Sequence, residues 1–249
     1  MAAEVGEPVT VVTYAHREHW FQERLERSVH AKTTTPYQWH KVIFPAGVHP
    51  NMNRALKVSD SRFICLLDED VEILTHGWLG RLVDAMQRDR RLGLLTTQVF
   101  DRQEQRDAYE AALGGPHQTS DYVQPITWAP GYVMLFDRQK TGPIWADEAI
   151  PGRHGMSDVD ISLEVTSRGL TIGRHTGVYV FHPHKDDNGT RARVGAQSLE
   201  EMQAVFPAQL QYMLDKWGAD YVAAVFEAEY LRRCEQQERA WSQIAPTRS

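Results

Sequence analysis

A chain of 249 residues suits one large domain, or one domain with a helical appendage. Hydrophobic residues at 42% and charged residues at 24% describe an ordinary globular protein. The net charge of −6 argues against general attraction to nucleic acid or anionic membrane.

The opening "MAAEVGEP" lacks the basic region and apolar stretch of a signal peptide. No uncharged apolar run approaches the roughly 18 residues a membrane span needs. Cys65 and Cys234 lie far apart and match neither a disulfide framework nor a metal cluster. Together these features predict a protein of the reducing cytoplasm.

"VTVVTY", from Val9 to Tyr14, is a β-branched run that predicts a buried strand. "EHWFQERLERSVHA" follows with Trp20, Phe21, Leu25 and Val29 at helical spacing. "WHKVIFP" predicts a second strand stopped by Pro45, and "PNMNRALKVS" a helix with Pro50 near its start. "RFICLLDED" is a third strand, "GWLGRLVDAMQRD" a helix, and "LGLLTTQVF" a fourth strand. This alternation predicts an α/β fold with a mostly parallel sheet flanked by helices.

The regularity fades from Asp101 to Gln124, a polar segment with "LGGPHQTSD" expected as a loop or flap. "ITWAPGYVMLFD" predicts a further strand. "SDVDISLEVTSRG" predicts a helix closed by Gly169, and "LTIGRHTGVYVFHPH" one or two late strands. Residues Ser198 to Gln243 predict a helical tail broken at Gly218, suited to capping the domain or pairing two copies as a homodimer. The organisation expected is a domain over 1–196 and a helical extension over 197–249.

The chemistry concentrates at the end of the third strand. Phe63 to Leu67 is wholly apolar and gives way to Asp68, Glu69 and Asp70. Charges at the lip of a core are costly unless paired or bound to metal. Asp68 and Asp70, one residue apart, can converge on a hard divalent cation, Mn²⁺ or Mg²⁺. The alternative is an acidic cap on the following helix.

With these residues in view, the chain resembles family 2 glycosyltransferases of the GT-A fold, whose Asp-x-Asp (DxD) motif binds the metal of a nucleotide-sugar. The resemblance runs from Val9 to about Gly218. It rests on "VTVVTYAHRE", "NRALKVSDSRFICLLDEDVEILTHGWL", "APGYVMLFDRQ", "WADEAI", "MSDVDISLEVTSRGLTIG", "YVFHPH" and "LDKWG", in that order. It implies a Rossmann-like GT-A domain with a C-terminal helical tail. It also implies an inverting transferase that uses a UDP- or GDP-linked sugar and Mn²⁺ or Mg²⁺.

The resemblance assigns Asp70 to the metal, with Asp68 on the ribose or on a metal-bound water. Glu69 is placed beside them in the nucleotide-sugar site, its side chain expected on the opposite strand face. His182 is the third metal contributor in preference to His184, and Asp158 is the general base, with Asp160 structural. Thr13, Tyr14, Arg17, Asn53 and Arg54 are expected to line the nucleotide pocket. Lys185, Arg191 and Arg193 are expected near phosphate. Three departures stand out: no acid in "IFPAGVHP", Ala15 where an Asn is common, and Ser157 where a Glu is usual. The first leaves the choice of UDP, GDP or another nucleotide open.

A retaining GT-A transferase would share the metal site without needing Asp158 as base. A nucleotidyltransferase would want a glycine-rich loop where "TYAHREHW" has no glycine. A silent nucleotide-sugar or glycan-binding module is the non-enzymatic alternative. The acceptor, whether glycan, protein, metabolite or modified base, is not written in any motif.

Overall fold

The computed structural model describes residues 8–15, 24–43, 47–112, 120–153, 155–183 and 199–225. Eight strands form one mixed sheet: β1 (Val9–Ala15), β2 (Tyr37–Ile43), β3 (Phe63–Asp68), β4 (Glu72–Ile73), β5 (Leu92–Phe100), β6 (Val123–Ile126), β7 (Val133–Asp137) and β8 (Thr171–Phe181). Its order is β2-β1-β3-β7-β5-β8-β4, with β6 also paired to β8. Most paired residues lie in the parallel ladders β1–β2, β1–β3 and β5–β8. β7 runs antiparallel between β3 and β5 and joins the two parallel parts.

The unbroken apolar run of β3 has a simple cause. Phe63, Cys65 and Leu67 enter one core with α1 (Leu25–Lys32) and α3 (Trp78–Arg88). Ile64 and Leu66 enter the opposite core with α2 (Val48–Lys57) and α6 (Ser157–Ser167). A strand buried on both faces has no polar alternation to show. Burial also pushes the Cys65 thiol far up, so it behaves as a small apolar side chain.

Two expectations change here, and a third is narrowed. The segment after Phe100 is not all loop: α4 (Gln103–Ala112) occupies its first half. α4 buries Tyr109 against Leu74 and Phe181. "ITWAPGYVMLFD" is split between β6 and β7, with residues 127–132 connecting them. β8 is one strand with an irregularity, since Thr97 faces His175 while Gln98 faces Tyr179. Gly177 lies in that irregularity, and a Cβ there would stand 2.0 Å from the Ser120 carbonyl oxygen.

The four-residue α5 (Arg138–Thr141) follows β7. α7 (Leu199–Trp217) and a helical stretch over 219–225 lie against α6. There Met213, Val222 and Val225 pack with Met156, Val159 and Leu163. The expected tail beyond 225 lies outside the described residues. No helix among the described residues is long and apolar enough to cross a membrane.

At the base of the sheet Asp137 is wholly buried, and Arg62 grips it with two hydrogen bonds of 2.9 and 3.1 Å. Lys140 stands 3.3 Å away, and the carboxylate caps α5 through the Gln139 N–H. Removing the carboxylate leaves two cations facing a dry site. Asp137→Ala should therefore cost about 3–5 kcal/mol in urea denaturation. A loss below about 1 kcal/mol would show that the pair does not hold this end of the sheet.

Candidate functional site

β1 and β3 run parallel and end together, so Tyr14 lies in register with Asp68. The chain turns directly after Asp68, with the Val71 N–H 3.4 Å from the Asp68 carbonyl. Glu69 and Asp70 therefore stand on a turn rather than on a strand. The alternation expected for Glu69 stops one residue before it. β4 then pairs antiparallel with the end of β8, Glu72 opposite Phe181. This pairing delivers His182 to the turn, its backbone N–H held by the Phe100 carbonyl at 2.9 Å.

His182 Nε2 reaches Asp70 Oδ1 at 3.0 Å. One ligand atom from each of Asp68, Asp70 and His182 lies within 4.8 Å of the other two, and all three residues are half-buried. Two carboxylate oxygens and an imidazole nitrogen form a donor set suited to a divalent cation such as Mn²⁺, with positions left for further oxygen ligands. The cation would also offset the repulsion between the two carboxylates. The tilted Tyr132 ring, centred 5.8 Å from the His182 ring, backs the imidazole.

Tyr14 is buried beside this cluster, hydrogen-bonded to Asp68 and 3.5 Å from the Gly131 carbonyl oxygen. Burial first, then the charges of Asp68, Asp158 and Asp70, push its hydroxyl well above the usual tyrosine range. It therefore stays a hydrogen-bond donor at neutral pH.

Asp158 stands in the first turn of α6. Its Oδ2 accepts from the Gly131 N–H at 3.3 Å and its Oδ1 from the Val159 N–H at 3.0 Å. One oxygen thus does the work of a helix N-terminal acid, while the other faces the turn at Gly131. A Cβ at Gly131 would lie 3.8 Å from Asp158 Cβ and 3.9 Å from the Tyr14 hydroxyl. Gly131 is thus the point where Tyr14 and Asp158 meet, a role that sequence reasoning missed; its place in the quoted "APGYV" was the available signal. Ser162 ties this segment to α6, accepting from the Ala129 N–H at 3.0 Å and donating to the Asp158 carbonyl at 2.6 Å.

Other expected site residues make contacts of their own or fall outside the described residues. Thr13 is wholly buried and accepts from Trp39 Nε1 at 3.2 Å, which commits its hydroxyl to the core between β1 and β2. Asn53 donates to the Ala146 carbonyl and to Glu148, and accepts from the Ala146 N–H, each at 2.8 Å. Its amide holds the 144–150 connection in place. Arg54 is exposed on α2. Arg17, His184, Lys185, Arg191 and Arg193 lie outside the described residues.

Asp160 is buried and accepts from Trp217 Nε1 at 2.7 Å and from Lys216 Nζ at 2.8 Å. Lys216 also meets Asp147 at 2.8 Å, and Tyr212 donates to the same carboxylate at 2.7 Å. Lys216 and Trp217 of the closing motif are therefore the part of α7 that clamps the first turn of α6.

Residues 11–142, just over half of the chain, match the family described as Glycosyl transferase family 2. No curated protein matches the chain. Among solved structures, S. aureus TarS 1-349 in complex with UDP is 13% identical with a TM-score of 0.54, over 97% of this chain and 76% of that one. The same protein with UDP-GlcNAc is 12% identical with a TM-score of 0.54, over 97% and 77%. The mannosyltransferase PcManGT from Pyrobaculum calidifontis, in complex with GDP-Man and Mn2+, is 13% identical with a TM-score of 0.49, over 96% and 81%. GalNAc-T7 with UDP, GalNAc and Mn2+ is 10% identical with a TM-score of 0.47, and this chain spans 44% of its length. At these identities the TarS likeness speaks for the fold alone.

The clamp predicts an acid dependence. Burial raises the Asp147 carboxyl, but hydrogen bonds from Lys216, Tyr212 and the Ala149 N–H outweigh it and bring the pKa to about 2. A folded pKa below the unfolded value of about 3.9 stabilises the fold above that value, and the contribution disappears as pH falls to the folded pKa. The Tm gap between wild type and Asp147→Asn should be constant from about pH 5 to 8 and close between about pH 4 and 2. A gap unchanged down to pH 2 would dissociate Asp147 from the clamp.

Proposed function

The chain belongs to glycosyl transferase family 2, and from that premise we propose that it is an inverting, metal-dependent glycosyltransferase. It moves a sugar from a UDP- or GDP-linked donor to an acceptor hydroxyl. The observation that carries this reading is the convergence of Asp68, Asp70 and His182 beside Tyr14 and Asp158 at one edge of the sheet. Residues 1–196 would form the catalytic unit and 197–249 a helical extension packed on that domain or used for dimerisation.

Inverting transfer is a displacement at the anomeric carbon in which the acceptor hydroxyl loses its proton as the new bond forms. Asp158 is the carboxylate placed to take that proton, with the Gly131 N–H fixing one of its oxygens. Asp70 and His182 would hold Mn²⁺ or Mg²⁺, with Asp68 on the ribose or a metal-bound water. The metal, when bound, offsets charge on the departing nucleoside diphosphate. Tyr14, kept protonated, orients Asp68 by hydrogen bonding.

A panel of UDP- and GDP-sugars scored by donor hydrolysis identifies the donor, and the anomeric configuration of the product tests the mechanism. Inversion is expected, and Asp158→Asn should lower transfer by roughly 10²–10⁴ with nucleotide affinity little changed. A retained configuration, or near-normal transfer by Asp158→Asn, would favour the retaining alternative. Nucleotide binding with no turnover of any donor would favour a silent binding module.

A further inference from the structure

A groove of about 510 Å³ opens between α1, β4 and α4, beside the metal-ligand cluster. Its floor includes Glu72, two residues after Asp70, and Arg24 and Arg106 both approach the ring of Phe181, the residue before His182. Arg24, Arg27, Lys32 and Arg106 converge on it against two carboxylates, Glu72 and Glu110. That is a positive enclave in a chain of net charge −6.

The charges divide into two sets. Arg106 is spent on the carboxylates, with two bonds to Glu72 at 2.8 and 3.0 Å and Glu110 at 3.4 Å. Arg24, Arg27 and Lys32 take part in none of the ion pairs recorded among the described residues. Arg24, the residue just before α1, lines the groove with positions 27, 28, 31 and 32 of the helix, while Leu25 and Val29 enter the core. Glu26, the acid within this stretch of α1, faces away and pairs with Lys41 at 2.8 Å. The helix thus turns three cations toward one concave surface and sends its carboxylate elsewhere. Grooves lined by one sign of charge concentrate ligands of the opposite sign, and guanidinium groups match phosphate oxygens in pairs.

We propose that this groove is a second anion site, which binds a phosphate group on a ligand other than the nucleotide-sugar donor. The site lies on the α1 side of the sheet, whereas Tyr14 packs on the α2 and α6 side. It depends on the proposed donor site only in being separate from it.

Calorimetry with inorganic tripolyphosphate in excess chelator tests the site with metal-assisted donor binding silenced. Wild type should bind saturably, and Arg24→Gln or Arg27→Gln should each weaken binding about fivefold, the upper range for one exposed charge contact. Asp70→Asn and Arg88→Gln should bind as wild type, and UDP should not displace the probe. Absent binding, equal weakening by Arg88→Gln, or displacement by UDP would overturn the proposal. If every donor fails to turn over while the groove still binds, the transferase reading falls and the anion site remains.

Discussion

Two carboxylates one residue apart, at the exposed end of a strand buried on both faces, are the constraint around which the structure is arranged. Left to themselves Asp68 and Asp70 repel each other in a half-dry setting, and each must be answered by a donor or a cation. Tyr14 answers Asp68 from the adjacent parallel strand, because β1 and β3 end in register. His182 answers Asp70 from the far side of the sheet, because the short β4 pairs with the end of β8. The fold brings three chain segments, the ends of β1, β3 and β8, together around the paired carboxylates.

The second element of the site, the first turn of α6, is held from three directions. Met156, just before the helix, takes a left-handed conformation with φ 62°. A non-glycine residue holds that geometry only when its surroundings fix it. Ser162 binds the 129–131 segment on one side, and Lys216 with Trp217 clamps Asp160 on another. Asp158 projects from a turn whose other carboxylate, Asp160, is committed to Lys216 and Trp217. Through Lys216 and Trp217, α7 therefore acts as a strut for the turn that carries the candidate base.

Much of this was legible because burial on both faces leaves a clear trace. "FICLL" ending in acids marks the sheet edge, and the order of the motifs points to the segments that carry Asp158 and His182. The direction of β7 was not legible, since an apolar run reads the same whichever way the strand points. α4 was missed for a related reason: Tyr109 is its one large apolar residue and its other apolar residues are alanines, so it carries no strong apolar period. Asn53 and Thr13 are expected in the pocket from their place in motifs. Both hydrogen bond to the protein's own backbone or core, a distinction no spacing records.

The central claim is that Asp70 and His182 complete a nucleotide site through a divalent cation. Titration of UDP and GDP by calorimetry, with Mn²⁺ and then with chelator, tests it most directly. The preferred nucleotide should bind at least about tenfold more tightly with metal, and Asp70→Asn should remove that gain. Equal affinity with metal and with chelator, or a full metal effect surviving in Asp70→Asn, would contradict it.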